Sequence, residues 1–234
     1  MDRAVVLVSG GLNSAVLAAL AREQYEPALL HVGWAHRSAE REAAAFQQLA
    51  DVLNIEKRIT ADLSCLSAFG GIARVSRRQA IDDANALGQE TPATFVLGLL
   101  PTMLSLGTTW AAAIGARRVL VGTGEDYGLP GPAISSLYPD RRHEFVQVFN
   151  LMLEFAKPPG RELMVEAPLI ELTRPEVIKL GARLNVPWEK TWSCYRNNDR
   201  PCGRCMPCAN RTNGFLRAGI PDPLLLEPAV AGAK

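Results

Sequence analysis

The sequence predicts an α/β fold whose core is a parallel sheet of about five strands, with helices on both faces. Two observations support this class. Between Ala4 and Thr60, short apolar runs alternate with segments of helical spacing in the order β-α-β-α-β. Strands that alternate with helices in this way form parallel sheets. The first apolar run also ends at Ser9-Gly10-Gly11, which indicates a tight turn between a buried strand and a helix.

The first half of the chain is predicted to supply three strands and three helices. The strands are short apolar runs, and the helices are richer in Ala and Leu or carry apolar residues at helical spacing. A stretch of weak periodicity, Cys65–Gln89, is predicted to be irregular. The predicted strands are Ala4–Val8, Pro27–Val32 and Glu56–Thr60, and the predicted helices are Ser14–Glu23, Ser38–Leu53 and Phe95–Ile114.

The second half continues the alternation and then changes in composition. Thr173 is a candidate N-cap, because Pro175 and Glu176 follow it in the first turn of a helix predicted to run to about Leu184. The other predictions are a strand at Val119–Val121, a loop at Tyr127–Leu137, a helix at His143–Phe155 and a strand or extended segment at Glu166–Leu172. We therefore divide the chain into an α/β core, residues 1–186, and a Cys-, Arg- and Asn-rich segment packed on it, residues 187–234.

Composition and charge exclude several classes of protein. The chain has 234 residues and a net charge of +1, so direct nucleic-acid binding through a broad basic surface is not expected. The uncharged stretch Thr91–Ala116 contains Pro101 and Gly107 and favours a buried or interface helix over a membrane span. The apolar run after Met1-Asp2-Arg3 is too short for the core of a signal peptide, so a cytoplasmic protein is expected.

The turn after the first strand is a candidate anion site. Its residues are Ser9, Gly10, Gly11, Leu12, Asn13 and Ser14. The glycines allow close approach of backbone N–H groups to an anion, the helix behind them adds its positive end, and the serines add hydroxyl donors. The loop lacks the Lys of a Walker A motif and the glycine spacing of a dinucleotide fingerprint. The alternative is an ordinary strand–turn–helix with small residues for packing.

Four cysteines form the second candidate site. Cys194, Cys202, Cys205 and Cys208 have the spacing C-x7-C-x2-C-x2-C. Four thiolates complete a closed tetrahedral zinc site, which serves folding and leaves no position for a reacting water. An iron–sulfur cluster also takes four thiolates and is the main alternative. Cys65 is the remaining cysteine and is interpreted as a buried apolar thiol and not as a nucleophile.

The loop sequence resembles the pyrophosphate loop of the N-type ATP pyrophosphatases, and within them the chain is most similar to the 7-cyano-7-deazaguanine synthase family. That similarity rests on the Ser-Gly-Gly loop, on Tyr138-Pro139-Asp140 with Arg142, Glu144 and Phe145, and on Thr191–Tyr195 followed by the cysteine cluster. The resemblance implies a Rossmann-like adenine nucleotide α-hydrolase core, a homodimer, and ATP, Mg²⁺ and structural Zn²⁺ as cofactors. It also implies adenylation of a 7-deazaguanine carboxylate and its transfer to an amine.

Several residues receive roles from this resemblance. The loop would bind the β- and γ-phosphates, with Ser9, Asn13 and Ser14 at the reacting end, and the substrate contacts would be Tyr138, Asp140, Arg142 and Glu144. His31 and His36 match the second-strand region and are candidate nucleotide contacts, although a core position is as common for a histidine there. Asp126 is a further candidate because it follows a strand end, where ligands bind in parallel sheets. From their place on the predicted helix after Thr173, Arg174 and Lys179 could reach a phosphate, but an exposed face is the usual place for such residues.

Three departures from the family bear on function. Asn13 stands where the family usually has Asp, which removes a carboxylate that could hold Mg²⁺. Leu99 and Leu100 stand where Arg and Asn are common, and the loop Tyr127–Leu137 is long. The amine acceptor is therefore open between ammonia and a protein or peptide amine, as in synthase-like proteins of anti-phage defence. A nucleotide-binding protein without turnover is the alternative, and a tRNA-thiolating enzyme is a weaker one.

Overall fold

The computed structural model describes residues 1–129 and 131–225, and in these residues five parallel strands form one sheet. The order across the sheet is β3-β2-β1-β4-β5. The chain thus adds strands on one side of β1 and then returns to add strands on the other side. The predicted parallel α/β sheet is confirmed. The strands are β1 (Arg3–Leu7), β2 (Glu26–Gly33), β3 (Arg58–Asp62), β4 (Arg118–Leu120) and β5 (Met164–Glu166).

Helices cover both faces of this sheet. Side chains of β1 alternate, so that Ala4 and Val6 pack toward one face while Val5 and Leu7 pack toward the other. Helices α1, α2, α6 and α7 cover the first face, and α3 and α5 cover the second. The helices are α1 (Leu12–Gln24), α2 (Ala39–Val52), α3 (Leu99–Ile114), α4 (Ile134–Leu137), α5 (His143–Ala156), α6 (Arg174–Arg183) and α7 (Met206–Ala218).

The topology also indicates where a ligand would bind. Strands β1 and β4 are neighbours, with Ala4 opposite Arg118 and Val6 opposite Leu120. They lie where the strand order reverses, and the loops that follow them diverge to opposite sides of the sheet. In open parallel sheets this switch point forms a crevice at the carboxyl ends of the strands. The Ser-Gly-Gly loop follows β1 and therefore borders the crevice.

Some predicted boundaries are wrong for identifiable reasons. Strand β5 ends at Glu166, and the rest of the predicted segment Glu166–Leu172 forms turns, with Ile170 N–H donating to the Ala167 carbonyl. The predicted loop Tyr127–Leu137 contains the single-turn helix α4, and its Pro130 lies outside the described residues. Helix α3 begins at Leu99 instead of Phe95 because Gly98 adopts φ +84°, which precedes the first turn.

The segment after Pro187 contains a helix that the sequence analysis did not predict. Helix α7 packs on α6, and its Phe215 ring lies edge-on against Trp188 with a centroid distance of 5.4 Å. Arg211 of α7 forms a buried ion pair with Asp222 at 2.6 Å. The predicted cap of α6 is confirmed, because Thr173 and Glu176 bond reciprocally in a capping box. The end of the predicted C-terminal segment, residues 226–234, lies outside the described residues.

The helices of residues 1–129 and 131–225 are all too short or too polar to cross a bilayer.

Candidate active site

A cavity of about 290 Å³ lies at the carboxyl ends of β1 and β4. The loop after β1 forms one end, and aromatic and cationic side chains from distant segments form the other. We call these the loop end and the aromatic–cationic end. The loop end comprises Ser9, Gly11, Leu12, Asn13 and Ser14, and the aromatic–cationic end comprises Trp34, Arg74, Tyr127, Tyr138, Arg141 and Tyr195.

The loop end is shaped by Gly10 and the two serines. Gly10 has φ +83°, and a Cβ there would lie 2.7 Å from the Glu42 carbonyl oxygen, so only glycine fits. Ser9 Oγ accepts from the Gly11 N–H at 3.3 Å and lies 3.3 Å from Ser14 Oγ. The hydroxyls and the start of α1 therefore converge on one side of the cavity. This is the arrangement of an anion site at a helix N-terminus.

Asn13 connects this loop to two other parts of the cavity. Its Nδ2 donates to the Gly122 carbonyl, in the loop after β4, at 2.8 Å. Its Oδ1 accepts from the guanidinium of Arg174. Arg174 is buried at the start of α6 and lies 3.8 Å from the centroid of the Tyr127 ring. The Asn13 amide thus bonds both the Gly122 carbonyl and the Arg174 guanidinium, and it holds this buried guanidinium beside the loop.

Tyr127 lies between two guanidinium groups. Arg141 Nη1 donates to the Tyr127 hydroxyl at 3.1 Å, while Arg174 covers its ring. Burial raises the pKa of Tyr127, but the charges of Arg174 and Arg141 outweigh burial and lower it. Arg141 also lies 4.7 Å from the ring centroid of Tyr138, whose hydroxyl is 2.6 Å from Thr94 Oγ1. Burial raises the pKa of Asp140, which also lines the cavity.

A stacked aromatic wall closes the opposite side. The Arg74 guanidinium lies 3.9 Å from the ring centroid of Tyr195 and 4.7 Å from that of Trp34, and it donates to Glu42 at 3.2 Å. His36 stacks on Trp34 with ring centroids 4.4 Å apart, and its Nε2 lies 3.0 Å from Glu42 Oε2. Burial lowers the pKa of His36. Burial would raise the pKa of Glu42, but His36, Arg74 and the Ser38 hydroxyl lower it to about 2.

The structure brings together only some of the residues proposed from sequence. Ser9, Asn13, Ser14, Tyr138 and Asp140 line the cavity. His31 is buried beside Phe46, with Nδ1 2.9 Å from the Val8 carbonyl, and His36 lies behind Trp34. Asp126 is exposed and its carboxylate accepts from the Gly128 N–H. Arg142 and Glu144 are exposed at the start of α5.

Sequence reasoning missed Arg141 and Tyr127 and gave Arg174 an exposed face by default. Arg141 lies in a single turn of 3₁₀ helix, Pro139–Arg141, where adjacent residues point in different directions. No sequence pattern distinguishes it from Arg142. For Arg174 a signal existed, because it follows the N-cap Thr173 and thus lies at a helix start.

The four cysteines of the C-terminal segment form one cluster. Their sulfur atoms all lie within 4.8 Å of one another, and Cys202 Sγ is 3.9 Å from Cys208 Sγ. Zinc–sulfur bonds of about 2.3 Å at tetrahedral angles place sulfur atoms ~3.8 Å apart, so the cluster fits a four-thiolate metal ion. Hydrogen bonds from the thiols of Cys205 and Cys208 lower the pKa of Cys194.

The cysteine cluster holds the aromatic wall in place. Cys194 directly precedes Tyr195, and the Trp192 Nε1–H donates to the Cys194 carbonyl at 3.1 Å. Asp83 pairs with Cys205 in a backbone bridge and with Arg196 in an ion pair of 2.6 Å, which ties the irregular segment after β3 to the cluster. The backbone N–H of Trp192 donates to the Gly10 carbonyl at 2.8 Å. The cluster therefore acts on the cavity through its neighbours.

Comparison with known proteins identifies the family. The model of the queuosine biosynthesis protein QueC matches residues 3–219. The chain belongs to the QueC family. A 7-cyano-7-deazaguanine synthase of Chloroherpeton thalassium is 36% identical over 223 residues, which cover 95% of this chain and 96% of that protein. One from Koribacter versatilis is 36% identical over 235 residues, covering 98% and 95%. The proposed resemblance is confirmed.

A solved structure supports the fold of this QueC family member. The fold of this chain is similar to that of the NMN synthetase from Francisella tularensis, with a TM-score of 0.50 over 93% of this chain and 77% of that one. The identity is 14%, so this likeness concerns the fold alone. It agrees with the parallel α/β sheet described above.

Proposed function

We propose that the chain is an ATP-dependent 7-cyano-7-deazaguanine synthase that converts a 7-carboxy-7-deazaguanine to the nitrile with ammonia. The observation that carries this proposal is the match to proteins of that name over nearly the full length of both chains. The cavity is compatible with it. An anion loop, two buried guanidiniums and an aromatic wall meet in one space at the switch point of the sheet.

The residues of the cavity divide the work of adenylation. The loop end and Arg174 would bind the triphosphate, because backbone N–H groups and a guanidinium match phosphate oxygens. The aromatic–cationic end would hold the planar base. Carboxylate attack on phosphorus needs positioning and charge stabilisation more than a side-chain nucleophile, and the described cavity offers those.

The cofactors follow from the donor groups. The cysteine cluster has the donor set and spacing for Zn²⁺, and a closed site of this kind stabilises the fold. Mg²⁺ would arrive with the nucleotide and neutralise phosphate charge. Its ligands would be phosphate oxygens and water instead of Asn13, because Asn13 Oδ1 already accepts from Arg174.

A protein or peptide amine is a second candidate acceptor. Leu99 and Leu100 line the cavity where the family commonly has Arg and Asn, and Leu97 beside them is 88% exposed. An apolar entrance of this kind would suit a peptide better than ammonium. The product would then be an amide between the 7-deazaguanine carboxyl group and that peptide, and it would not be dehydrated to a nitrile.

The remaining expectations are also proposals. A homodimer is supported by the family resemblance and by an apolar row on the outer face of α5, formed by Val148, Leu151, Met152 and Phe155. Sedimentation velocity would reveal a particle of twice the 25.4 kDa chain mass. A cytoplasmic location is supported by the thiol cluster, since reduced thiols persist there.

Mass spectrometry of the reaction products tests the proposed function. The wild-type chain is incubated with ATP, Mg²⁺, 7-carboxy-7-deazaguanine and ammonia, beside Asn13→Asp and the exposed control Asn54→Asp. We expect nitrile from wild type and from the control, because the Asn13 amide is bonded on both sides. Adenylate without amide would favour a peptide acceptor. Product from Asn13→Asp alone would show that Asn13 inactivates the chain, and ATP binding without any product would support a binding protein.

A further inference from the structure

Arg141 is a cavity cation whose neighbouring carboxylate, Asp140, acts on it electrostatically without forming an ion pair within 4.0 Å in the described residues. Its guanidinium lines the cavity, where it donates a hydrogen bond to the Tyr127 hydroxyl at 3.1 Å. Among residues 1–129 and 131–225 it forms no ion pair with a carboxylate, in contrast to Arg211, which pairs with Asp222. A guanidinium withdrawn from bulk water is normally paired with an anion. An unpaired one facing a cavity therefore points to an anionic ligand.

The other cavity cations are committed elsewhere. Arg74 donates to Glu42 and is sandwiched between Trp34 and Tyr195. Arg174 is bonded to Asn13 and so belongs to the loop end. Leu99 and Leu100 bring no charge to the cavity wall that they form. Arg141 is thus the cation available to a negative group at the aromatic–cationic end.

Tyr127 lies between Arg141, the cation available to an anionic ligand, and Arg174, the cation beside the anion loop. Its hydroxyl accepts from Arg141, and its ring is covered by Arg174. An anion on Arg141 and a phosphate on Arg174 would consequently meet beside this ring. Two anions repel one another, and a cation on each reduces that repulsion where they must react.

We propose that Arg141 binds the substrate carboxylate and, held by Tyr127, positions its oxygen toward the α-phosphate of ATP. This inference rests on the proposed function and specifies how the acid is selected. In the step, a carboxylate oxygen forms a bond to the α-phosphorus while the bond from that phosphorus to the bridging oxygen breaks. Pyrophosphate leaves with the electron pair, and no proton is transferred.

Binding of an acid and of its neutral amide tests this role directly. Calorimetry without ATP measures 7-carboxy-7-deazaguanine and its 7-carboxamide on wild type, Arg141→Met, Arg141→Lys and the exposed control Arg183→Met. We expect Arg141→Met to weaken acid binding by about tenfold or more, the usual scale for a charge-assisted hydrogen bond, and amide binding by much less. Arg141→Lys should recover part of the acid affinity, and Arg183→Met should match wild type.

Each other outcome has a defined meaning. Equal loss for acid and amide in Arg141→Met, or no loss in either, would overturn the role of Arg141 and leave the proposed function standing. Failure of the wild-type chain to bind either ligand would overturn the proposed function together with the inference. If Arg141→Met does not fold, Arg141→Lys is the deciding variant. Lysine reaches less far than arginine and lacks its forked donor geometry. An unchanged ratio of acid affinity to amide affinity in Arg141→Lys would therefore contradict a positioning role for Arg141.

Discussion

The two ends of the cavity are built in opposite ways. The loop end consists of neighbours in sequence, from Ser9 to Ser14, and depends on backbone geometry at Gly10. The aromatic–cationic end takes single residues from segments between Trp34 and Tyr195 and depends on side-chain contacts. A site made from one turn is specified by local sequence, whereas a site made from distant segments exists only when the whole fold is assembled. The two ends should therefore fail under different changes.

Loss of one cysteine ligand should lower stability more than any other change, and it should weaken binding at the aromatic–cationic end. Cys208→Ser takes one ligand from the cluster that precedes Tyr195. Structural zinc contributes about 10–16 kcal/mol in small domains, so a large drop in Tm is expected together with loss of zinc. Binding of the base should fall more than binding of ATP. Metal analysis, thermal denaturation and calorimetry measure these.

The control for this change is Cys65→Ser, which should retain zinc and wild-type Tm, because Cys65 is exposed and lies outside the cluster. The predicted buried position of Cys65 is wrong, since no side chain of its 3₁₀ segment, Ser64–Phe69, is buried. Equal loss of ATP and base affinity in the Cys208 variant would contradict the separation of the two ends.

A methyl group at Gly10 should break the loop end instead. Gly10→Ala adds a Cβ 2.7 Å from the Glu42 carbonyl oxygen and 2.9 Å from Ala45 Cβ at φ +83°. The positive φ costs about 1–2 kcal/mol, and the overlap adds ~1–3 kcal/mol. We expect a lower Tm and ATP affinity weakened by about tenfold or more, since the loop must move.

Gly160→Ala isolates the backbone contribution, because Gly160 has φ +76° and open space around its Cβ position. A Tm for Gly10→Ala no lower than that of Gly160→Ala would show that the close approach to α2 is relieved without cost.

Acid should produce the smallest effect, and it should act on the wall behind Trp34. Burial lowers the pKa of His36 below 6.5, so its contribution to stability is full above pH 6.5 and is lost as the pH falls below it. The pKa of Glu42 is lowered from 4.5 to about 2, so its contribution is present above pH 4.5 and is lost toward pH 2.

His36→Gln tests this assignment, because glutamine keeps a donor for Glu42 and does not titrate. Its Tm should fall less than that of wild type between about pH 7.5 and pH 5.5, with a difference on the order of a few °C. Parallel curves for the two proteins would remove His36 as the source of acid sensitivity.

The comparison also explains what the sequence could predict. The strands, the turn after β1 and the cysteine spacing are local patterns, so Ala4–Val8, the Ser-Gly-Gly loop and C-x7-C-x2-C-x2-C could be read before any contact was known. Helix α7 was missed because its composition is polar, although Pro207 in its first turn and Gly219 after its last residue are boundary signals.

Other assignments depended on three-dimensional contacts. Whether Arg141 or Arg142 faces the cavity is decided by the course of one short turn after Tyr138. Arg174 is buried because α7 and Tyr127 cover it, and neither contact is visible in its own segment. His31 lies near the carboxyl end of strand β2, where ligand-binding residues are common, but its Nδ1 is 2.9 Å from the Val8 carbonyl and its ring stacks on Phe46.

The backbone bridge between Asp83 and Cys205 has a consequence for how the chain folds during its synthesis on the ribosome. The five strands of the described residues all lie before Ala167, so the sheet can assemble before the segment with the cysteine cluster has left the ribosome. The segment around Asp83 must wait for its partners Cys205 and Arg196, which are made much later. The nascent chain therefore completes its sheet first and its aromatic–cationic end last, once the cysteine cluster has formed.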